Sequence, residues 1–403
     1  MRTVDEHLAE VLRIVHPLAA LDLGLLDAHG CVLTEDVVAP RALPGFDNSA
    51  MDGYAVRAGD VTTVPTTLPV DGDIAAGPAS ALTVRPGRCV RIMTGAALPV
   101  GADTVVQVEH TDAGVTQVRI DQLPQLGAHV RRAGEDVAAG EVVLTAGTTV
   151  GSAQLGLAAA VGRARLVVRP RPRVVVLSTG SELVEPGGAL EPGQIYDANS
   201  VSLTAAVREA GGIAYRVGIV ADEPRLLMST LEDHLGRADV VLTSGGVSVG
   251  AYDVVKEALS TLGTLDFVKV AMSPGMPQGF GTIGPEKTPV FGLPGNPVSA
   301  LVSFEAFVRP ALRRMLGAEP LGRPSISAVC TSDLTSPRGR RSFLRVRVER
   351  RGDAHIAEAV SGAGSHLLAG MARANALAVL PEGVERVSAG SPVQVQLLER
   401  RSV

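Results

Sequence analysis

Residues Val240 to Asp253 read VVLTSGGVSVGAYD, and this stretch decides the fold. Val240, Val241 and Leu242 form the end of a continuous apolar run, as expected of a strand buried on both faces. Ser244, Gly245 and Gly246 make a small-residue turn, and Asp253 then opens a helical pattern with Val254, Val255, Ala258 and Leu259 on its apolar side. A strand, a small turn and a helix present backbone N–H groups and a helix dipole to an anion. Glycine lets a phosphate approach the backbone without meeting a Cβ. The carboxylate beyond the turn suits a divalent cation beside that phosphate. Gly-Gly after a strand is also an ordinary turn, so the stretch alone leaves both readings open. It lacks the Lys-Ser/Thr of a P-loop and the G-x-G-x-x-G of a dinucleotide site.

The same alternation runs outward in both directions. RVVVLSTG from Arg173 is an apolar run ending in a turn, and Asn199 is placed to cap a helix from Ser200 to Ala210. A strand Ile213–Val220, a helix Pro224–Leu235 and the strand ending at Leu242 follow, then a helix Asp253–Leu262. Strands Leu265–Val270 and Pro289–Gly292 and a helix Pro297–Leu316 complete the pattern. Strands alternating with helices predict a mostly parallel, doubly wound sheet, in which ligands collect at the carboxyl ends of the strands. Those ends carry Ser178 to Glu182, Ala221 to Glu223, Thr243 to Gly246, Ala271 to Ser273 and Leu293 to Asn296. All five are polar or glycine-rich, which points to one site handling an anion and a metal.

The flanks read differently. Thr3–Ala20 has an apolar stripe at helical spacing (Val4, Leu8, Val11, Leu12, Val15) behind a Thr3–Glu6 capping box, with His7 and His16 structural or solvated. A second, shorter segment runs from Leu26 to Val38. PGFDNSAMDGYAVRAGD, Pro44 to Asp60, crowds Asp47, Asn48, Ser49 and Asp52 around the apolar Phe46 and Met51, as a tight turn or a polar site would. Residues 61–130 alternate in short runs broken by Gly and Pro, a β-rich module in which Thr94-Gly95 follows a strand. A helix is expected from Ser152 to Ala160. Helix, β module and helix again imply a discontinuous domain with the β module inserted in it. After Arg323 short strands return (SISAVC, SFLRVRVE, AHIAEAV, ALAVLP, PVQVQLLE) as a small β-barrel, with Arg338, Arg340, Arg341 and Arg345 as a basic spot.

Composition narrows the function. A chain of 403 residues exceeds one ordinary core. Net charge is −5, so no global basic field recruits nucleic acid, and with no Trp and only four Tyr few faces remain on which bases could stack. Three well-separated cysteines make neither a disulfide framework nor a Cys metal site. The polar start MRTVDEHLAE is not a signal peptide, and the longest small-apolar run, Gly151–Gly162, is too short to span a bilayer. A cytoplasmic protein is expected. Only Lys256, Lys269 and Lys287 among the 37 basic residues are lysines, so each is a candidate for a task needing a compact amine.

PGFDNSAMDGYAV, RIMTGA, STGSEL, GQIYDANS, SGGVSVGAYD, GLPGNPVSA and the GSH of residues 364–366 occur in this order across nearly the whole chain. Together they resemble the molybdopterin molybdenumtransferase family, called MoeA in bacteria and the E domain of gephyrin in animals. The resemblance implies four domains: an elongated helical domain (1–42 and 135–167), an inserted β domain (43–134), a doubly wound α/β molybdopterin-binding domain (168–320) and a C-terminal β-barrel (321–403). It implies a homodimer with each cleft shared between subunits. It also implies the final step of molybdenum cofactor synthesis, in which molybdate and adenylylated molybdopterin react and AMP leaves. Molybdopterin adenylyltransferase and recipient molybdoenzymes would be its partners.

By that resemblance Ser244, Gly245 and Gly246 hold phosphate, and Glu182, Asp222 and Asp253 are the carboxylates of the ligand-binding strand ends, available to Mg²⁺. Asp52 and Thr94 come from the partner subunit. Lys269 is a cleft lysine, Ser299 lies near the oxyanion, and Arg345 and Ser365 face the cleft; Gly295 and Asn296 of GNPVS join the substrate contacts. The family commonly reads K-P-G-K-P where this chain has Ser273-Pro274-Gly275-Met276-Pro277. Two point-charge partners for a dianion, each worth about 1–3 kcal/mol if partly buried, are absent. Arg345 or Arg340 replaces them, or molybdate is supplied at higher concentration, or the chain uses another oxyanion such as tungstate. A non-catalytic protein that binds or scaffolds adenylylated molybdopterin is the alternative function.

Overall fold

The computed structural model describes residues 1–78, 81–221, 223–245, 261–362 and 364–398. Its centre is a six-stranded sheet, labelled here β1 (Arg173–Thr179), β2 (Ile213–Val220), β3 (Val240–Ser244), β4 (Gly263–Lys269), β5 (Pro277–Ile283) and β6 (Thr288–Leu293). The strand order is β2-β1-β3-β6-β5-β4. The first four are mutually parallel, whereas β5 runs antiparallel to both β6 and β4. The antiparallel β5 is a departure from the expected pattern. Its PQGFGTI sequence hides a strand because Gly279 and Gly281 supply no side-chain alternation. A Cβ on Gly281 would sit 2.0 Å from the Thr264 carbonyl oxygen, so close strand packing requires the glycine.

Two faces of the sheet explain the continuous apolar runs. Val174, Val176, Val240 and Leu242 pack with Leu203 and Val207 of the helix Ala198–Glu209 and with Phe304 and Phe307. Val175, Leu177 and Val241 turn the other way, onto Leu227 and Leu231 of the helix Pro224–Leu235. Strand side chains alternate in direction, so a strand covered on both faces must be apolar at every position. Each large side chain buried this way contributes about 1.5–3 kcal/mol.

The N-terminal helix spans Val4–Ile14, with the Thr3–Glu6 capping box formed. It stops six residues before the expected Ala20, because Pro17 disfavours helix in the residue before it and offers no N–H. Val4, Val11 and Val15 join the core of the α/β body. His7 is buried edge-on against Phe307 at 4.6 Å, and burial holds its pKa down at about 4, whereas His16 is exposed. Leu26–Val38 resolves into turns and the short strands Val32–Leu33 and Val37–Val38. The helix Ser152–Ala160 forms as expected.

The inserted module is a five-stranded sheet built on Gly53–Val56, Thr66–Ile74, Cys89–Ile92, Thr104–Gln107 and Gln117–Ile120. The expected helix Pro297–Leu316 is one helical run containing a π segment, Phe304–Val308. Pro310 cannot donate the next backbone bond, which accounts for the altered register. The C-terminal strands close into a five-stranded barrel: Arg341–Arg351, Ala354–Ala359, Ser325–Cys330, Pro392–Leu397 and Ala376–Leu380, the last returning to the first. Met272–Ser273 adds to this barrel alongside Arg341–Ser342 and so joins it to the α/β body. The helix expected from Asp253 lies outside the described residues. No helix among the described residues is long and apolar enough to cross a membrane.

Candidate active site

The carboxyl edge of the sheet is tied together by one short segment, Asp197 to Ser200. Ser178 of β1 lies opposite Ser244 of β3, which in turn lies opposite Leu293 of β6. The Ser178 hydroxyl donates to Asp197 Oδ1 at 2.9 Å and stands 3.4 Å from the Ser244 hydroxyl. Asp197 is only 1% exposed. It caps the helix Ala198–Glu209 by accepting from the Ser200 N–H at 3.0 Å, and its Oδ2 accepts from the Ser200 hydroxyl. Arg216 of β2 donates to Ser200 Oγ at 2.6 Å, lies 3.6 Å from Asp197 and pairs with both oxygens of Glu185. Asn199 donates to the Gly295 carbonyl at 2.7 Å. The cap is therefore Asp197, not the expected Asn199, whose amide is occupied by the turn after β6.

The turn itself differs from a bare row of N–H donors. Gly245 has φ +94, and a Cβ there would sit 2.6 Å from the Thr179 carbonyl oxygen, so only glycine fits. Its N–H donates to the Leu293 carbonyl at 3.1 Å. Ser244 is 2% exposed. The described half of the turn thus spends its polar groups inside the sheet rather than on a ligand. Gly246, Asp222 and Asp253 lie outside the described residues. Beneath the turn, Thr179 Oγ1 is buried without a hydrogen-bond partner among the described residues. Glu182 is exposed, with its carboxylate folded back over Gly180, where a Cβ would come within 2.6 Å of an oxygen. Among the described residues, no three His, Cys, Asp or Glu side chains form a group able to hold a metal.

A cleft of about 410 Å³ opens where the α/β body meets the C-terminal barrel, lined among others by Ser273, Pro274, Val298, Ser342 and Arg345. Gln278, 2% exposed, holds the Ser273–Pro277 loop by donating to the Gly275 carbonyl and to Ser303 Oγ. Arg345 is 6% exposed and donates to the carbonyls of Gly362, Gly364 and Leu367. Its guanidinium fastens a loop, and burial lowers its pKa from the ordinary value. Arg341 is bound to Asp5 and Glu382, and Arg338 to Glu385. Ser365 accepts from the Val298 N–H through its backbone carbonyl at 3.0 Å, while Ser299 is buried and Asn296 exposed in the same first turn. Lys269 ends β4, exposed, opposite Pro277.

Asp52 and Thr94 stand together on the inserted module, not on this edge. Asp52 Oδ1 accepts from the Thr94 N–H at 2.7 Å and from its hydroxyl at 2.8 Å. These two bonds, the backbone one first, hold the Asp52 carboxyl below the ordinary carboxylate range. Gly53 is required beside them, since a Cβ there would meet the Val106 carbonyl oxygen at 1.9 Å. Met51, 37% exposed, directly precedes Asp52, and Phe46, 52% exposed, lies earlier in the same loop.

Sequence reasoning placed Ser178 at a strand end and Asp197 inside the GQIYDANS motif without giving either a role, and it passed over Arg216 and Gln278. For Asp197 a signal existed: an Asp three residues before Ser200 at a helix start is a cap pattern.

Family models match three successive parts of the chain: the MoeA N-terminal region (domains I and II) over residues 2–162, the probable molybdopterin-binding domain over 175–314, and the MoeA C-terminal region (domain IV) over 327–398. The molybdopterin molybdenumtransferase 2 of Mycobacterium tuberculosis is 50% identical, over 98% of this chain and 99% of its own. A molybdopterin molybdenumtransferase of Haemophilus influenzae is 36% identical over 98% of both chains. A crystal structure of a molybdopterin biosynthesis MoeA protein from Pyrococcus horikoshii superposes with TM-score 0.75 at 29% identity, covering 98% of this chain and 100% of the other. With its three regions in order and relatives aligned from end to end, this chain belongs to the MoeA family of molybdopterin molybdenumtransferases.

Proposed function

We propose that the protein transfers molybdenum from molybdate to the dithiolene of adenylylated molybdopterin and releases AMP, in the cytoplasm. The observation that carries this reading is the carboxyl edge itself. The end of β1, the turn after β6 and the middle of β2 are bonded to Asp197, Asn199 and Ser200, beside a glycine-only turn after β3 and an exposed carboxylate, Glu182. Such an edge suits a phosphate-bearing ligand that must be held rigidly while a bond to phosphorus breaks.

Mg²⁺ fits the residues present. Glu182 is exposed and has no ion pair among the described residues, and Mg²⁺ needs only one or two carboxylates when substrate phosphates supply the rest. Glu182 would hold it with Asp222 and Asp253. When bound, the ion neutralises phosphate charge and polarises the phosphorus.

The active assembly in this reading is a homodimer. Asp52 and Thr94 bond to each other and face solvent, and the exposed Phe46 and Met51 precede Asp52 in the chain, as expected of a surface lent to a second subunit. In a second reading the protein uses another oxyanion such as tungstate or holds adenylylated molybdopterin without turnover, and the cleft favours the latter. Ser273 lines the cleft without charge, Met276 of the same loop is neutral as well, and Arg345 is committed to carbonyls.

The test is AMP release from adenylylated molybdopterin with Mg²⁺. Release that depends on molybdate is expected. Release only with tungstate, or stable binding without release, would favour the second reading.

A further inference from the structure

Asp197 is a more expensive residue than a helix cap requires. A cap needs one oxygen for one N–H and works at the surface. Asp197 instead buries a carboxylate to 1% exposure, a cost that only several donors offset. Its donors come from different elements: Ser178 from β1, and Ser200, through both N–H and hydroxyl, from the helix, with Arg216 of β2 at 3.6 Å. A hydroxyl has one proton. Ser178 gives its proton to Asp197, so toward the Ser244 hydroxyl, 3.4 Å away, it presents only lone pairs and acts as an acceptor. The polarity of this relay fixes Ser244 just before the chain leaves the sheet at Gly245, whose N–H is held by Leu293.

We infer that Asp197 is a positioning residue for substrate binding: through the Ser178 hydroxyl it sets the orientation in which the Ser244-Gly245 turn leaves the sheet to meet the phosphate-bearing substrate. The inference rests on the reading that this edge binds adenylylated molybdopterin. It separates two tasks of one side chain. Capping runs through the Ser200 N–H, and positioning runs through Ser178. Ser178→Ala removes the second task and leaves the first intact. Asp197→Ala removes both. Asp197→Asn keeps an oxygen for Ser178 and for the Ser200 N–H, and its amide can donate to Ser200 Oγ, so it restores both.

The experiment measures steady-state AMP release on the full-length variants, AMP binding by calorimetry and thermal unfolding. Ser178→Ala should raise KM for adenylylated molybdopterin and weaken AMP binding about tenfold, with kcat within about twofold and a lower unfolding midpoint, since the buried Asp197 carboxylate loses one donor. Asp197→Ala should show the same KM change with a lower midpoint, and Asp197→Asn should recover KM to within about threefold. Lower midpoints and lower kcat at unchanged KM and unchanged AMP binding would overturn the inference and leave Asp197 a structural cap. If the wild type shows no molybdate-dependent release, the functional reading fails by itself. The AMP affinities then decide the inference: tenfold weaker in Ser178→Ala supports it, and unchanged affinity overturns it.

Discussion

At the carboxyl edge of the α/β sheet the polar side chains turn inward. Ser178, Ser244 and Asp197 are buried and spend their hydrogen bonds on one another. On the inserted module the reverse holds: Asp52 and Thr94 are exposed, and Asp52 takes both of its bonds from Thr94. The first region is a floor whose shape is set before any ligand arrives. The second is a carboxylate held ready on a scaffold of its own, with apolar neighbours left uncovered. The contrast teaches that rigidity and reactivity are kept apart in this fold. Buried networks fix backbone, and the carboxylates proposed to touch substrate or metal, Asp52 and Glu182, remain at the surface.

That division can be broken most severely by removing the surface carboxylates. Asp52→Ala and Glu182→Ala should each lower kcat for AMP release on the order of 10²–10⁴-fold, while circular dichroism and the unfolding midpoint stay near wild type, since neither side chain is buried. A large fall in stability would contradict the division. A smaller effect is expected in the cleft. Ser273→Lys with Met276→Lys should lower the KM for molybdate about thirtyfold or more, two lysines each adding a partner worth about 1–3 kcal/mol to the dianion. No change would mean that the oxyanion does not sit beside this loop.

The smallest effect concerns Asp52 alone. Its depressed pKa adds stability above the ordinary carboxylate value, and this is lost as pH falls through the folded-state value. Thr94→Val removes the hydroxyl bond but keeps the N–H, the larger cause. NMR titration should therefore show the Asp52 pKa rising yet staying below the ordinary value; an unshifted carboxyl in the wild type would contradict the geometry.

Much of this was legible in the sequence, for identifiable reasons. The helices Ser152–Ala160 and Pro224–Leu235 and the strand Ile213–Val220 form with the expected limits. Apolar patterning and the punctuation of Gly, Asn and Pro carry that information. β5 was hidden because Gly279 and Gly281 erase alternation. The site followed the same rule. Motif residues marked the strand ends, but the direction of each bond is a tertiary fact. Asp197 rather than Asn199 caps the helix, Gly245 gives its N–H to Leu293, and Arg345 is bound to three carbonyls instead of being free to meet an oxyanion.

The central claim is that one site is assembled from these two contrasting regions, each supplied by a different subunit. Mixing Asp52→Ala with Glu182→Ala subunits tests it most directly. Each variant alone should be nearly inactive. After dissociation and random reassociation, half the dimers are mixed and one of their two sites is intact, so AMP release should return to about a quarter of the wild-type rate. Activity that stays at the level of the single variants would contradict the claim and place both carboxylates in a site built by one chain.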